Sequence, residues 1–125
     1  MARIAVRPAI SEGVVVAKAA LRAASLLGVS NKALARIIGL SEASVSRMGA
    51  GTYTLTAGEK PFELAVLFVR LYRSLDAIVH GHDEVARAWL AEHNSALGGQ
   101  PLTMIQSLQG LVHAVAYLDA RRALV

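Results

Sequence analysis

The chain has 125 residues, which is enough for one domain or for two small lobes that share a core. Apolar residues make up 54% of it and charged residues only 18%, so we expect part of its surface to be covered by a partner. The absence of cysteine excludes disulfides and thiolate zinc sites. Charged residues interrupt the apolar stretches, so the sequence predicts no membrane span and no signal peptide, and it favours the cytoplasm.

The net charge of +4 is concentrated in the first half of the chain. Residues 1–60 carry eight basic side chains against three acidic ones, whereas residues 61–125 carry five against six. A basic half is what binding to the phosphates of a nucleic acid requires, although a solvated basic face without any ligand has the same composition.

The first elements in chain order are an N-terminal arm and a helix. Residues 1–10 show no helical period, and they fit either a basic arm that reaches DNA or a short ordered extension. A helix is predicted from about Glu12 to Leu27, and it should stop at Gly28.

Residues 31–48 have the spacing of a helix-turn-helix. Ala35 is small enough for two helices to cross closely, and Gly39 follows where the first helix must end in a left-handed turn. Val45 supplies an apolar plug under the second helix. The alternative is a helical hairpin within a bundle, but these residues at this spacing favour a motif that presents a short helix to the DNA major groove.

The side of the second helix that faces DNA follows from its apolar residues. Val45 and Met48 point inward, so the residues opposite them are exposed, and Ser30 and Ser41 stand at the N-cap positions of the two helices. Arg47 fits either a guanine edge or a phosphate. The predicted DNA-binding residues are Lys32, Ser41, Glu42, Ala43, Ser46 and Arg47.

A long apolar helix follows. Gly49 and Gly51 are predicted to end the second helix of the motif, and residues 56–59 read as a capping box that opens a helix from about Ala57 to Val79. This helix is apolar on almost every side, which predicts that it links two lobes and contacts a second copy in a homodimer. Its narrow polar stripe consists of Glu63, Arg70, Arg73 and Ser74.

The last third of the chain predicts three further helices. The first runs from about Asp83 to Ala91, a turn occupies residues 94–99, and a short helix runs from Pro101 to near Ser107. The last helix, from about Leu108 to Ala123, has two faces. Its predicted core stripe is Leu108, Leu111, Val112, Val115 and Leu118. Its other face is Gln109, His113, Tyr117 and Arg121.

No segment shows the alternation of a strand, so the predicted fold is all-α. We divide it into a helix-turn-helix region (residues 1–56), a linking and dimerisation helix (57–80) and a small C-terminal helical lobe (81–125).

The C-terminal lobe resembles the toxin-binding domain of the Xre/MbcA/ParS antitoxins. The resemblance rests on the residues Trp89, Leu90, Asn94, Leu97, Gly98, Gly99, Pro101, Leu102 and Gly110, together with the order of the parts. His93 departs from the family pattern, which commonly has proline before the asparagine.

The resemblance implies an antitoxin of a type II toxin–antitoxin system. Members neutralise a RES-type toxin, an enzyme that consumes NAD, by occluding its active site with the last helix and tail, and many repress their own operon. The implied toxin-binding residues are Trp89, Asn94, Leu97, Gly98, Gly99, His113, Tyr117, Arg121, Arg122 and Val125. The side chains of Trp89 and Leu97 themselves are expected to lie in the core.

Two alternatives remain open at this level. The tail with Arg121 and Arg122 fits equally a plug for the toxin's cleft and a helix end whose cations complement the helix dipole. The whole chain also fits a free-standing dimeric repressor without a toxin.

Catalysis is not predicted. No nucleophile, base and orienting acid occur together, and residues 80–84 hold two histidines and two acids without further ligands at helical spacing. We therefore expect no enzyme activity, no metal, no cofactor and no small-molecule substrate.

Overall fold

The computed structural model of the chain describes residues 11–125, and this part forms seven α-helices and no strand. They are α1 (Glu12–Leu27), α2 (Asn31–Ile38), α3 (Glu42–Ala50), α4 (Lys60–Ile78), α5 (Asp83–Ala91), α6 (Pro101–Met104) and α7 (Leu108–Arg122). The all-α prediction is confirmed. The predicted N-terminal arm lies outside the described residues, and the three-part division of the chain stays a prediction.

Helix α1 has the predicted bounds because both of its ends carry strong signals. The Ser11 hydroxyl accepts a hydrogen bond from the Val14 amide at 3.2 Å, and Gly28 ends the helix with φ +68°. Within the first turn, the α-carbon of Gly13 lies against the loop before α4: a Cβ there would stand 1.7 Å from the Leu55 carbonyl oxygen. Glycine therefore lets α1 approach this loop closely.

Helix α4 lies at the centre of the molecule and packs against α1, α2, α5 and α7. Phe68 and Leu71 are fully buried there. The chain itself thus covers most of this apolar helix. The sequence argument that α4 needs a second copy to cover it was wrong, because it did not foresee four helices of the same chain around it.

The predicted capping box at residues 56–59 was also wrong. Thr56 and Glu59 close a turn in which the Glu59 amide donates to the Thr56 carbonyl at 3.1 Å, and Gly58 has φ +90°. A left-handed residue at this point prevents a continuous helix, so α4 begins three residues later than expected. Glu59 is its N-cap without a side-chain hydrogen bond, and Pro61 lies in the first turn.

One polar cluster joins α4 to α7. Ser74 was placed in the exposed stripe of α4, but it is fully buried and its hydroxyl donates to Asp119 Oδ1 at 2.7 Å. Arg70 forms an ion pair with the other oxygen of Asp119. The Asp119 carboxylate thus satisfies a buried hydroxyl and an exposed guanidinium at once.

The core stripe of α7 is narrower than predicted. Leu108 and Val112 are 56% and 48% exposed, because the helix turns the row of Leu111, Ala114 and Leu118 toward the core instead. Two aliphatic side chains one turn apart are therefore left on the surface. The neighbouring bounds also shift slightly, since α6 already ends at Met104 and α7 ends at Arg122.

Candidate functional site

The crossing of α2 and α3 has the geometry that the sequence predicted. Ala35 and Val45 are buried, and Gly39 ends α2 with φ +75°. The hydroxyl groups of Ser30 and Ser41 accept hydrogen bonds from the Ala33 and Ser44 amides at 3.1 and 3.0 Å. These caps and this close crossing hold α3 as a rigid, exposed helix on one side of the molecule.

The four outward side chains of α3 are exposed. They are Glu42, Ala43, Ser46 and Arg47. Lys32 is exposed in the first turn of α2, and Ser41 is exposed although its hydroxyl serves as the N-cap. The structure thus leaves the side chains of the predicted DNA-binding set accessible.

Sequence reasoning missed Ser44 in this surface. The Ser44 hydroxyl accepts from Arg47 Nη2 at 3.3 Å and from the Ser41 hydroxyl at 3.0 Å. It therefore connects the N-cap to the guanidinium. The spacing of residues 41, 44 and 47 along one side of a helix was the available signal, because residues three apart are neighbours on a helix surface.

Of the two glycines predicted to end α3, only one does so. Gly49 lies within the helix, and Gly51, with φ +79°, ends it. A glycine without a positive φ is compatible with a helix interior, so only the second of the two glycines acts as the terminator.

The turn at residues 94–99 is held by its own polar groups. The Asn94 amide donates to the Gly99 carbonyl at 2.8 Å, and Asn94 Oδ1 accepts from the Leu97 amide at 3.0 Å. Leu97 is buried and Gly98 has φ +82°. These residues therefore shape the surface of the turn, and Leu97 anchors it in the core.

Two glycines pack against the end of α6. A Cβ on Gly110 would lie 1.8 Å from the Met104 carbonyl oxygen, and one on Gly99 would lie 3.2 Å from the Met104 sulfur. Trp89 is half-buried and packs against the same core. Gly99 and Gly110 thus meet at Met104, which joins the 94–99 turn to the start of α7.

The outer face of α7 presents the predicted polar row. Gln109, His113 and Arg121 are exposed, Tyr117 is half-buried, and the Arg121 guanidinium lies 5.7 Å from the centre of the Tyr117 ring. Beside this row, a surface pocket of about 460 Å³ lies between α6 and α7. Its lining residues are Met104, Ser107, Gln109, Gly110 and His113.

The C-terminal residues 121–125 are all exposed, and Leu124 and Val125 are 86% and 71% accessible. The two arginines of this tail take different positions. Arg121 stacks on Tyr117, whereas Arg122 lines a groove formed with α1 and α4. The structure therefore does not bring their two guanidiniums together as a single cationic tip.

In the described residues, no group of three or more histidine, aspartate or glutamate side chains could hold a metal ion. Within residues 11–125, none of the helices is long and apolar enough to cross a bilayer.

The fold and the exposed α3 define a helix-turn-helix protein with an additional C-terminal helical domain. The antitoxin Xre-like helix-turn-helix domain matches residues 6–70, and the antitoxin Xre/MbcA/ParS C-terminal toxin-binding domain matches residues 74–123. The chain belongs to this family of Xre-like antitoxins, and the resemblance seen in the sequence is confirmed. Neither domain is an enzyme family. A search of curated proteins found no match.

Proposed function

We propose that this antitoxin neutralises a RES-type toxin that consumes NAD, represses its own operon, and has no enzyme activity, metal, cofactor or small-molecule substrate of its own. One observation carries the proposal: the same chain contains an exposed, capped α3 and a toxin-binding domain. The last helix of that domain leads into a tail, residues 121–125, that is exposed throughout. Both activities belong in the cytoplasm, where the DNA and the dinucleotide are found.

The C-terminal tail is the part that we assign to the toxin's active-site cleft. Arg121 carries a guanidinium that pairs well with carboxylates or other hydrogen-bond acceptors in the cleft, and Leu124 and Val125 add an apolar end that the chain's own core does not use. The row that leads to the tail, with His113 and Tyr117, extends the contact along α7. The turn at residues 94–99 supplies the adjoining surface.

We further propose that the antitoxin is a homodimer. Leu108 and Val112 remain outside the core and lie one helical turn apart, and an uncharged aliphatic strip suits a two-fold contact in which identical side chains meet. The free-standing repressor remains the second candidate, because the same dimer with the same α3 would bind DNA without any toxin.

Co-expression with the product of the adjacent gene tests the toxin assignment. The full chain should restore growth and keep cellular NAD at its normal level, whereas deletion of residues 121–125 should leave a folded chain that still binds DNA and protects poorly. Because these residues are exposed, the thermal melt of the truncated chain should be nearly unchanged.

The substitution Val85→Gln is a matched control, since Val85 is 54% exposed on α5 and lies outside the tail. Full protection by the truncated chain would exclude the tail as the plug. Growth arrest without any fall in NAD would exclude a RES-type toxin, and an adjacent product that neither arrests growth nor binds the chain would favour the free-standing repressor.

A further inference from the structure

A second apolar surface lies between α1 and α4, on the boundary of the two family domains. It is a groove of about 400 Å³ that we call the valine groove. Its apolar floor consists of Val15, Val16, Ala19, Val66 and Val69. Val15 and Val66 are 53% and 42% exposed, so the core of the chain does not use these side chains fully.

Three arginines complete the valine groove. They are Arg70 and Arg73 from α4 and Arg122 from α7, and no carboxylate is among the lining residues. Arg70 is already paired with Asp119, but within residues 11–125 neither Arg73 nor Arg122 forms an ion pair. Residues 1–10 contain no aspartate or glutamate either. The charges of Arg73 and Arg122 are therefore not balanced by ion pairs within the described residues.

This charge pattern distinguishes between two candidate occupants of the groove, a second copy of the chain and a segment that carries carboxylates. A second copy placed on the same face would bring four guanidiniums without an ion-pair partner together, Arg73 and Arg122 of each copy, and like charges facing each other oppose association. A segment with aliphatic side chains on one face and carboxylates beside them would bury the valines and pair with Arg73 and Arg122.

We propose that the valine groove binds an acidic, aliphatic segment of the partner toxin. The inference rests on the proposed function, because it takes the toxin as the partner. Continuity supports this choice: Arg122 belongs to the same five-residue tail that is assigned to the toxin's cleft, and it lines the groove directly. The toxin then contacts α1 of the helix-turn-helix domain as well as the C-terminal domain.

The binding chemistry is tested without the toxin, on the full chain, by methyl NMR. The probe is a synthetic helical peptide with leucine at every third or fourth position and glutamate between, and the control peptide has glutamine in place of glutamate. The acidic peptide should shift the methyl signals of Val15, Val66 and Val69 and leave Val85 unchanged. Binding should weaken as salt rises, since exposed charges are screened.

Charge reversal supplies the matched variants. The double substitution Arg73→Glu and Arg122→Glu should weaken binding of the acidic peptide by at least about tenfold. The control Arg36→Glu should have little effect, because Arg36 is an exposed residue of α2 that lies outside the groove. Equal binding of the two peptides, or equal binding by the two charge variants, would overturn the inference. In the absence of peptide, methyl signals of the groove that shift with protein concentration would show that a second copy occupies it, and this result would also overturn the inference.

Co-purification with the product of the adjacent gene then identifies the partner. The double glutamate variant should retain less of this product than the Arg36→Glu variant does. If the product binds both variants equally, the groove does not contact the toxin although the proposed function stands. If the product binds no form of the chain while the peptide binds the wild type, the toxin assignment fails and the preference for acidic segments stands.

Discussion

At Gly110 a backbone carbonyl from the preceding turn occupies the space where any other residue would have its Cβ. The Met104 oxygen and carbonyl carbon would lie 1.8 and 2.6 Å from that atom, and these are backbone atoms that no rotation of a side chain can move away. The glycine at the start of the last helix is therefore required by packing and not by a positive φ. The same holds for Gly13, which faces the Leu55 carbonyl.

We predict that Gly110→Ala lowers the free energy of unfolding by about 3 kcal/mol, because α6 and α7 must separate to admit the methyl group. Gly49→Ala is the matched control: it also lies in a helix, but nothing surrounds its Cβ position within 4 Å, so the change should raise stability by about 0.5–1 kcal/mol. Urea denaturation followed by circular dichroism measures both. Equal stability of the two variants would contradict the close approach at Gly110.

The Asp119 carboxylate gives a second prediction at the residue scale. Asp119→Ala should lower the free energy of unfolding by about 1–3 kcal/mol, because it leaves the buried Ser74 hydroxyl without its partner. Arg70→Ala removes only an exposed ion pair, since 62% of the arginine side chain is accessible, and it should change stability by less than about 1 kcal/mol.

A double-mutant cycle on Ser74 and Asp119 measures how much their hydrogen bond contributes to stability. Adding Ser74→Ala to Asp119→Ala should recover part of the loss, because the orphaned hydroxyl is then absent. A double variant that is less stable by the sum of the two single effects would show that the Ser74–Asp119 hydrogen bond contributes nothing.

At the scale of elements, α3 is held by its caps and by the crossing with α2, and its exposed side is short. Its outward side chains are Glu42, Ala43, Ser46 and Arg47, and Arg47 is the one cation of this helix. We therefore expect the DNA contacts of the helix to depend strongly on Arg47.

We predict that Arg47→Ala weakens binding to the upstream DNA by about 1–3 kcal/mol and relaxes sequence preference if the guanidinium contacts a base. A phosphate contact would instead weaken all sequences alike and reduce the salt dependence. Titrations with operator and scrambled DNA at several salt concentrations distinguish the two. Arg121→Ala, in the other domain, is the control, and a wild-type chain without salt-sensitive DNA binding would remove the repressor half of the proposal.

At the scale of the whole molecule, residues 11–125 leave exposed, besides the C-terminal tail, the strip of Leu108 and Val112 and the valine groove, and these two surfaces differ in charge. The strip of Leu108 and Val112 on α7 is uncharged, whereas the valine groove carries three arginines. This difference is the physical basis for assigning the strip to a second copy and the groove to an acidic partner. Helix α4 is covered on most sides by four helices of its own chain, and its remaining exposed side contributes Val66, Val69, Arg70 and Arg73 to the valine groove.

We predict a dimer at micromolar concentration in sedimentation equilibrium, with its two α3 helices on half-sites about 34 Å apart. Val112→Glu should yield a folded monomer, because Val112 is half exposed and outside the core, whereas Val85→Glu should leave the dimer intact. Leu71→Glu should instead unfold the chain, since Leu71 is fully buried. A monomeric wild type would refute the dimer, and a dimeric Val112→Glu variant would place the contact elsewhere.

The sequence by itself determined the features whose signals are local. Ser30 and Ser41 cap helices because the hydrogen bond joins residues three positions apart, and Gly28, Gly39 and Gly51 end helices because only glycine takes a positive φ without strain. The helix-turn-helix and the C-terminal family pattern follow from such signals at fixed spacing. The outward face of α3 followed in the same way from two inward apolar residues.

Only the tertiary structure decided which side chains of α4 and α7 remain exposed. Ser74 is buried because Asp119, 45 positions away, approaches it, and Val112 is exposed because α7 turns another row of residues toward its neighbours. The valine groove likewise combines residues from α1, α4 and α7, and its unbalanced arginines cannot be read from any one helix. These features depend on how distant segments pack, and a periodic pattern along one helix does not contain that information.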